Sequence, residues 1–179
     1  MLSIGFFGDG PWADKTLKEI STNNKFSISF IVSRFKKPDQ KLKKWSKKIG
    51  VDFICFKNIN SPQAIAKLKK YDADLFVSMS FDQILKKEII SLPPMGFLNC
   101  HAGALPFYRG RNILNWALIN DEKEFGVTVH FIDEGIDTGD IILQKKRVIS
   151  DKDDYSTLLK KAEVLCAECL YEAITKVNS

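Results

Sequence analysis

Apolar residues recur along this chain with two different periods. The runs Leu2–Phe7, Phe26–Ser33, Val51–Phe56 and Leu75–Ser78 are short, nearly continuous and rich in aromatic and β-branched residues, as expected of buried strands. Between them the apolar positions fall three or four apart. Gly8-Asp9-Gly10-Pro11 marks a turn after the first run, and Pro11 suits the first turn of a helix through Trp12–Ser21. Leu42, Trp45 and Ile49 share one helical face in a lysine-rich stretch. Ser61-Pro62 opens a further helix carrying Ile65, Leu68 and Tyr71. Strands alternating with helices of this length pair in parallel through right-handed crossovers, which predicts an α/β fold built on a doubly wound, mostly parallel sheet.

The texture changes after Pro93-Pro94. Gly96–Cys100 reads as a strand ending in a loop from Gly103 to Gly110, and Arg111–Ile119 as a helix. Gly126–Ile132 and Ile141–Val148 read as strands joined by the Asp- and Gly-rich segment Asp133–Asp140. A last helix from about Asp154 places Leu158, Ala162, Leu165, Cys169, Leu170 and Ala173 on one face. With 179 residues and no repeat, linker or low-complexity tract, residues 1–179 are expected to form one domain without an additional C-terminal one.

Composition narrows the class. Hydrophobic residues make up 45% and charged residues 27%, the balance of a globular protein, and the apolar runs are strand-sized, so no membrane span is expected. The N-terminus enters the first strand without a basic leader, which predicts a cytoplasmic protein. The formal net charge of +5 is concentrated. Residues 34–48 carry eight lysine and arginine side chains against Asp39 alone, so the remainder is net acidic. Without interleaved aromatics this tract reads as a solvated helix face, and nucleic acid is not the expected partner. Cys166-Ala167-Glu168-Cys169 falls late in the last helix, where a redox motif gains nothing from a helix N-terminus, and it reads as packing. No second Cys or His pair completes a metal site, and none is expected. Gly5-Phe6-Phe7-Gly8-Asp9-Gly10 lacks dinucleotide-binding spacing and reads as a plain strand-to-helix turn.

Chemistry is concentrated where strands end, because doubly wound sheets place ligands at their carboxyl edge. Asn99 and His101 share a strand face, and Cys100 points the other way. The Asp133–Asp140 loop supplies several carboxylates to the same region. An amide to donate to a developing oxyanion, an imidazole that moves protons near neutral pH and a carboxylate to orient it are equipment for acyl transfer.

The segment Asn99-Cys100-His101-Ala102-Gly103-Ala104-Leu105-Pro106-Phe107-Tyr108-Arg109-Gly110 resembles the signature of the 10-formyltetrahydrofolate-dependent formyltransferases. Gly126-Val127-Thr128-Val129-His130-Phe131, followed by Asp137-Thr138-Gly139-Asp140-Ile141-Ile142, is similar to the second half of that signature in order and distance. The resemblance implies a Rossmann-like catalytic domain, 10-formyltetrahydrofolate as co-substrate, and Asn99, His101 and Asp137 as catalytic residues. It also implies a folate site made by Ser78, Met79, Ser80, Phe81, Ile84 and Leu85 on one side and by Asp133 and Gly135 on the other, and a cis Leu105–Pro106 peptide. Arg109-Gly110-Arg111 followed by Asn115-Trp116 looks like the sugar-nucleotide N-formyltransferases, which implies the amine of a nucleotide-linked amino sugar as acceptor. Glycinamide ribonucleotide and methionyl-tRNA are the alternative acceptors. A non-catalytic formyl-folate or nucleotide binder and a nucleotide-dependent oxidoreductase are the rival classes. Arg109 and Arg111 are expected on the acceptor's phosphates, where a guanidinium fork binds in bidentate fashion, with Tyr108 beside them. No oligomeric state is specified.

Overall fold

Chain direction decides which face of the sheet each helix covers, because right-handed crossovers put successive helices on one face until the strand order reverses. The computed structural model describes residues 1–179. Strands β1 (Leu2–Gly8), β2 (Phe26–Ser33) and β3 (Asp52–Cys55) run outward in one direction, joined by helices α1 (Gly10–Ser21) and α2 (Gln40–Ile49). The chain then returns through α3 (Pro62–Lys69) to β4 (Leu75–Met79) on the other side of β1, and through the single turn α4 (Lys87–Ile90) to β5 (Phe97–His101). Helix α5 (Ile113–Ile119), β6 (Glu124–Phe131), β7 (Ile141–Val148) and α6 (Tyr155–Val177) complete the order β3-β2-β1-β4-β5-β6-β7. Strands β1 to β5 are parallel, and β6 runs antiparallel to both of its neighbours, β5 and β7.

The two faces bury different cores. On one, Ile4, Phe6, Val77, Leu98, Cys100, Val127 and Val129 pack against α1 and α6, with Leu17, Leu165, Cys166, Cys169 and Leu170 facing them. Burial pushes the Cys100 thiol up, and burial also drives Cys169, to about 12. The C-x-x-C is therefore helix packing, as its position implied. On the other face Phe7, Phe30, Phe76 and Phe97 form a ring cluster, with centroids 4.8–5.7 Å apart, covered by Ile59, Leu68 and Ile89. Tilted and edge-on pairs of this kind add about 0.5–1.5 kcal/mol each beyond their burial.

Helix ends follow local chemistry. Asp39 caps α2 by accepting from the amides of Lys41 and Leu42, and Gly50 ends it in the left-handed region at φ 73°. Asp154 and Thr157 form a reciprocal cap on α6. The expected helix from Arg111 instead starts at Ile113, because Asn112 is left-handed at φ 59° and leaves Arg111 in the preceding loop. The Leu105–Pro106 peptide is cis.

The loop after β5 is held to the antiparallel strands by one hydroxyl. Thr128 Oγ1, fully buried on β6, donates to the Gly103 carbonyl at 2.7 Å. It accepts from the Leu105 amide at 3.2 Å and from Gln144 Nε2 at 2.8 Å, and the same Gln144 amide nitrogen lies 2.9 Å from the Leu105 carbonyl. All the bonding capacity of the hydroxyl is thereby used. Replacing Thr128 with Val keeps the shape but strands buried partners. Thr128→Val is expected to lower stability by roughly 1–3 kcal/mol, seen as a lower denaturant midpoint at unchanged slope.

Candidate active site

On the phenylalanine face the side chains change character within two residues along β5. Phe97 closes the aromatic cluster, and Asn99 and His101, next on the same face, stand above it. Ser78 follows Phe76 on β4 in the same way. No helix covers this end of the sheet. A cleft of about 890 Å³ opens instead, in the size range of small-molecule sites.

The antiparallel β5–β6 pair sets His130 directly opposite Asn99 and Thr128 opposite His101. After β6 the 133–140 loop folds back over the same face. It is pinned where the Phe131 amide donates to the Asp140 carbonyl at 2.9 Å. Gly139 is what allows the loop to lie so close, since a Cβ there would stand 1.9 Å from the Phe131 carbonyl oxygen. The fold-back delivers Asp137, itself left-handed at φ 52°, to the two strands.

The Asp137 carboxylate is the hub. Its Oδ2 accepts from the Gly110 amide at 2.9 Å and lies 3.6 Å from His101 Nδ1. Its Oδ1 lies 3.5 Å from both Asn99 Nδ2 and His130 Nε2. Asn99 Nδ2 is also 3.3 Å from His130 Nε2, and His130 Nδ1 is 2.7 Å from the Phe131 carbonyl. Burial raises the Asp137 pKa, but the His130 hydrogen bond, the Gly110 amide and the two imidazoles outweigh it, lowering the value from 3.8 to about 2. The carboxylate is thus ionised throughout the neutral range.

The structure brings Asn99, His101 and Asp137 together in the cleft, with all eight residues expected at the folate: Ser78, Met79, Ser80, Phe81, Ile84 and Leu85 on one wall, Asp133 and Gly135 on the other. The acceptor residues divide. Arg111 lines the cleft, whereas Arg109 and Tyr108 do not. Tyr108 turns its hydroxyl to Glu122 and Asn120, away from the cleft lining. Two residues were missed. His130 lies in the segment that resembles the signature but carried no expected role, and its register opposite Asn99 is what brings it to the site. Arg34 lines the cleft in an ion pair with Asp9, and no neighbouring motif marked it.

The chain matches the family model described as Formyl transferase over residues 2–174. It is 36% identical over 183 residues to a methionyl-tRNA formyltransferase of Thermodesulfovibrio yellowstonii, covering 98% of this chain and 59% of the relative. It is 42% identical over 119 residues to the methionyl-tRNA formyltransferase of Caldanaerobacter subterraneus subsp. tengcongensis, covering 66% of this chain and 38% of the relative. The chain thus spans no more than about three fifths of the length of these relatives. Among solved structures it resembles a phosphoribosylglycinamide formyltransferase from Bacillus halodurans, with a TM-score of 0.87 at 21% identity, covering 99% of this chain and 95% of the other. A formyltetrahydrofolate deformylase from Pseudomonas syringae pv. tomato superposes with a TM-score of 0.81 at 18% identity over 97% of this chain and 60% of the other. At those identities the structures speak for the fold, and the family match together with the 36% relative places this chain in the formyl transferase family.

Proposed function

We propose that the protein transfers the formyl group of 10-formyltetrahydrofolate to a primary amine. The observation that carries this reading is the convergence on one cleft of Asn99 and His101 from the end of β5 and Asp137 from the loop after β6. The cleft suits a folate. Phe81, Ile84 and Leu85 on one wall and Ile136 on the other offer apolar surface to a flat ring, and the 133–137 backbone offers polar groups at its edge.

The folate supplies an activated formyl group. The acceptor nitrogen forms a bond to the formyl carbon, the bond to the folate nitrogen breaks, and one proton passes from the acceptor to the departing nitrogen. Asn99 turns its amide donor from Asp137 to the formyl oxygen as negative charge develops there. His101, protonated on the nitrogen facing Asp137, donates to the same oxygen, and the carboxylate stabilises that imidazolium. Asp137, ionised at neutral pH, then assists the proton between the two nitrogens, directly or through water.

The similarity to methionyl-tRNA formyltransferases favours methionyl-tRNA as acceptor over the sugar nucleotide implied by the Arg-Gly-Arg motif. Helix α2 supports that reading by holding Lys41, Lys44, Lys47 and Lys48 outward, in a segment that begins at Arg34 on the cleft wall. An amino-sugar nucleotide is the second reading. It is favoured by Arg111, which lines the cleft beside Gly110 where that amide holds Asp137.

Release of tetrahydrofolate should require a matching amine, and testing methionyl-tRNA beside amino-sugar nucleotides and glycinamide ribonucleotide identifies the acceptor. Folate binding without release under any of them overturns the transferase reading. Asn99→Ala, His101→Ala and Asp137→Ala are each expected to lower kcat by roughly two orders of magnitude or more with the fold intact. Near-normal turnover in His101→Ala is incompatible with the mechanism.

The acceptor readings part on salt. For a tRNA, acceptor affinity should fall steeply with ionic strength, by about 0.7–0.9 log units per neutralised phosphate for each decade of salt. Replacing Lys41, Lys44, Lys47 and Lys48 with Gln should flatten that slope. A small nucleotide would leave it nearly unchanged.

Asp137 also makes an acid-stability prediction. Its folded-state pKa of about 2 lies below the ordinary 3.8, so the stability it contributes is complete above the ordinary value and is lost as pH falls through about 2. Asp137→Asn should therefore lose less stability than wild type over that interval, measured as melting temperature against pH.

A further inference from the structure

The loop after β5 contains a contact that decides how His101 presents itself to the cleft. His101 Nε2 lies 2.6 Å from the backbone carbonyl oxygen of Tyr108, while Nδ1 faces Asp137. A carbonyl oxygen only accepts, so Nε2 carries the hydrogen. Nδ1 is then the nitrogen that gains or gives up a proton on the side of Asp137 and the reacting atoms.

Two features bring that carbonyl to the ring. Gly103 leaves the space open, since a Cβ there would stand 2.4 Å from the Tyr108 carbonyl oxygen and 2.5 Å from His101 Nε2. Tyr108 itself is left-handed at φ 53°, a conformation disfavoured for a tyrosine and kept only when the surroundings impose it. Its side chain supplies the restraint. The hydroxyl donates to a carboxylate oxygen of Glu122 and accepts from Asn120 Nδ2 at 3.1 Å. Asn120 caps the end of α5 and Glu122 lies two residues before β6, so both anchors belong to the frame of the fold.

We propose that Tyr108 is a positioning residue for formyl transfer. Its hydroxyl, clamped between Glu122 and Asn120, fixes the backbone carbonyl that holds His101 in its Nε2–H form with Nδ1 turned toward Asp137. This rests on the reading of His101 as a catalytic group. It replaces the role of substrate contact expected for Tyr108, because the side chain points away from the cleft and acts through its own backbone.

Tyr108→Phe keeps the ring and removes both anchoring hydrogen bonds. Nitrogen-15 spectra of the His101 imidazole, taken in basic solution where the ring is neutral, should show Nε2–H in wild type and an increased share of Nδ1–H in Tyr108→Phe. In parallel kcat should fall about tenfold while KM for folate and amine stays within about twofold. Glu122→Gln preserves an acceptor for the hydroxyl and should retain both wild-type signatures. Glu122→Leu should reproduce the Tyr108→Phe spectrum and rate. An unchanged His101 spectrum in Tyr108→Phe, a changed spectrum with wild-type kcat, or a raised KM at constant kcat each overturns the proposal, the last restoring Tyr108 as a substrate contact. If wild type shows Nε2–H in a Tyr108-dependent way but transfers formyl to no amine, the positioning contact stands and the transferase reading falls.

Discussion

The antiparallel pairing of β6 against β5 is the constraint from which the site follows. A parallel strand there would require a crossover helix, and that helix would need a face of the sheet to cover. Because β6 instead runs back along β5, His130 faces Asn99 directly and Thr128 faces His101. The β6–β7 connection then folds back over the sheet as a loop and brings Asp137 to both strands. The cleft lies at that edge, with the polar side chains of Ser78, Asn99, His101 and His130 beside apolar walls from Phe81, Ile84, Leu85 and Ile136.

Within that frame a single carboxylate organises the chemistry. Asp137 reaches an amide, two imidazoles and a backbone N–H drawn from β5, β6 and the loop at Gly110. Each imidazole has its other nitrogen committed to a backbone carbonyl, His101 to Tyr108 and His130 to Phe131. Both rings are thus oriented by main chain on one side and by charge on the other. An arrangement held in this way requires little reorganisation when charge develops on a substrate, which is the condition under which fixed dipoles accelerate acyl transfer most.

The alternation of strands and helices was readable in the chain as far as β5, because parallel strands buried on both faces are continuous apolar runs with turn signals between them. Asn99 and His101 were legible as a pair from the period of two, and their partner Asp137 through the resemblance of the whole segment. His130 was not, since the pattern of a strand tells which residues share a face but not which residue of another strand lies opposite. The direction of the Tyr108 side chain was illegible for a related reason. A motif says that a tyrosine sits in the loop, and only the left-handed backbone at that position sends its ring out toward Glu122. The start of α5 was set by Asn112 in the same way, a backbone choice that helix periodicity does not register.

Cys100 lies between Asn99 and His101 but points to the opposite face, where its thiol sits 3.6 Å from the Cys166 carbonyl on α6. With Cys166 and Cys169 also buried along that seam, three of the four thiols in the chain are shielded only while α6 lies against β5 and β6. The chain therefore carries a built-in reporter of its own breathing. The rate at which a small alkylating reagent reaches these sulfurs measures how often the last helix lifts from the strand that bears the catalytic groups, with no label added and no change to the cleft.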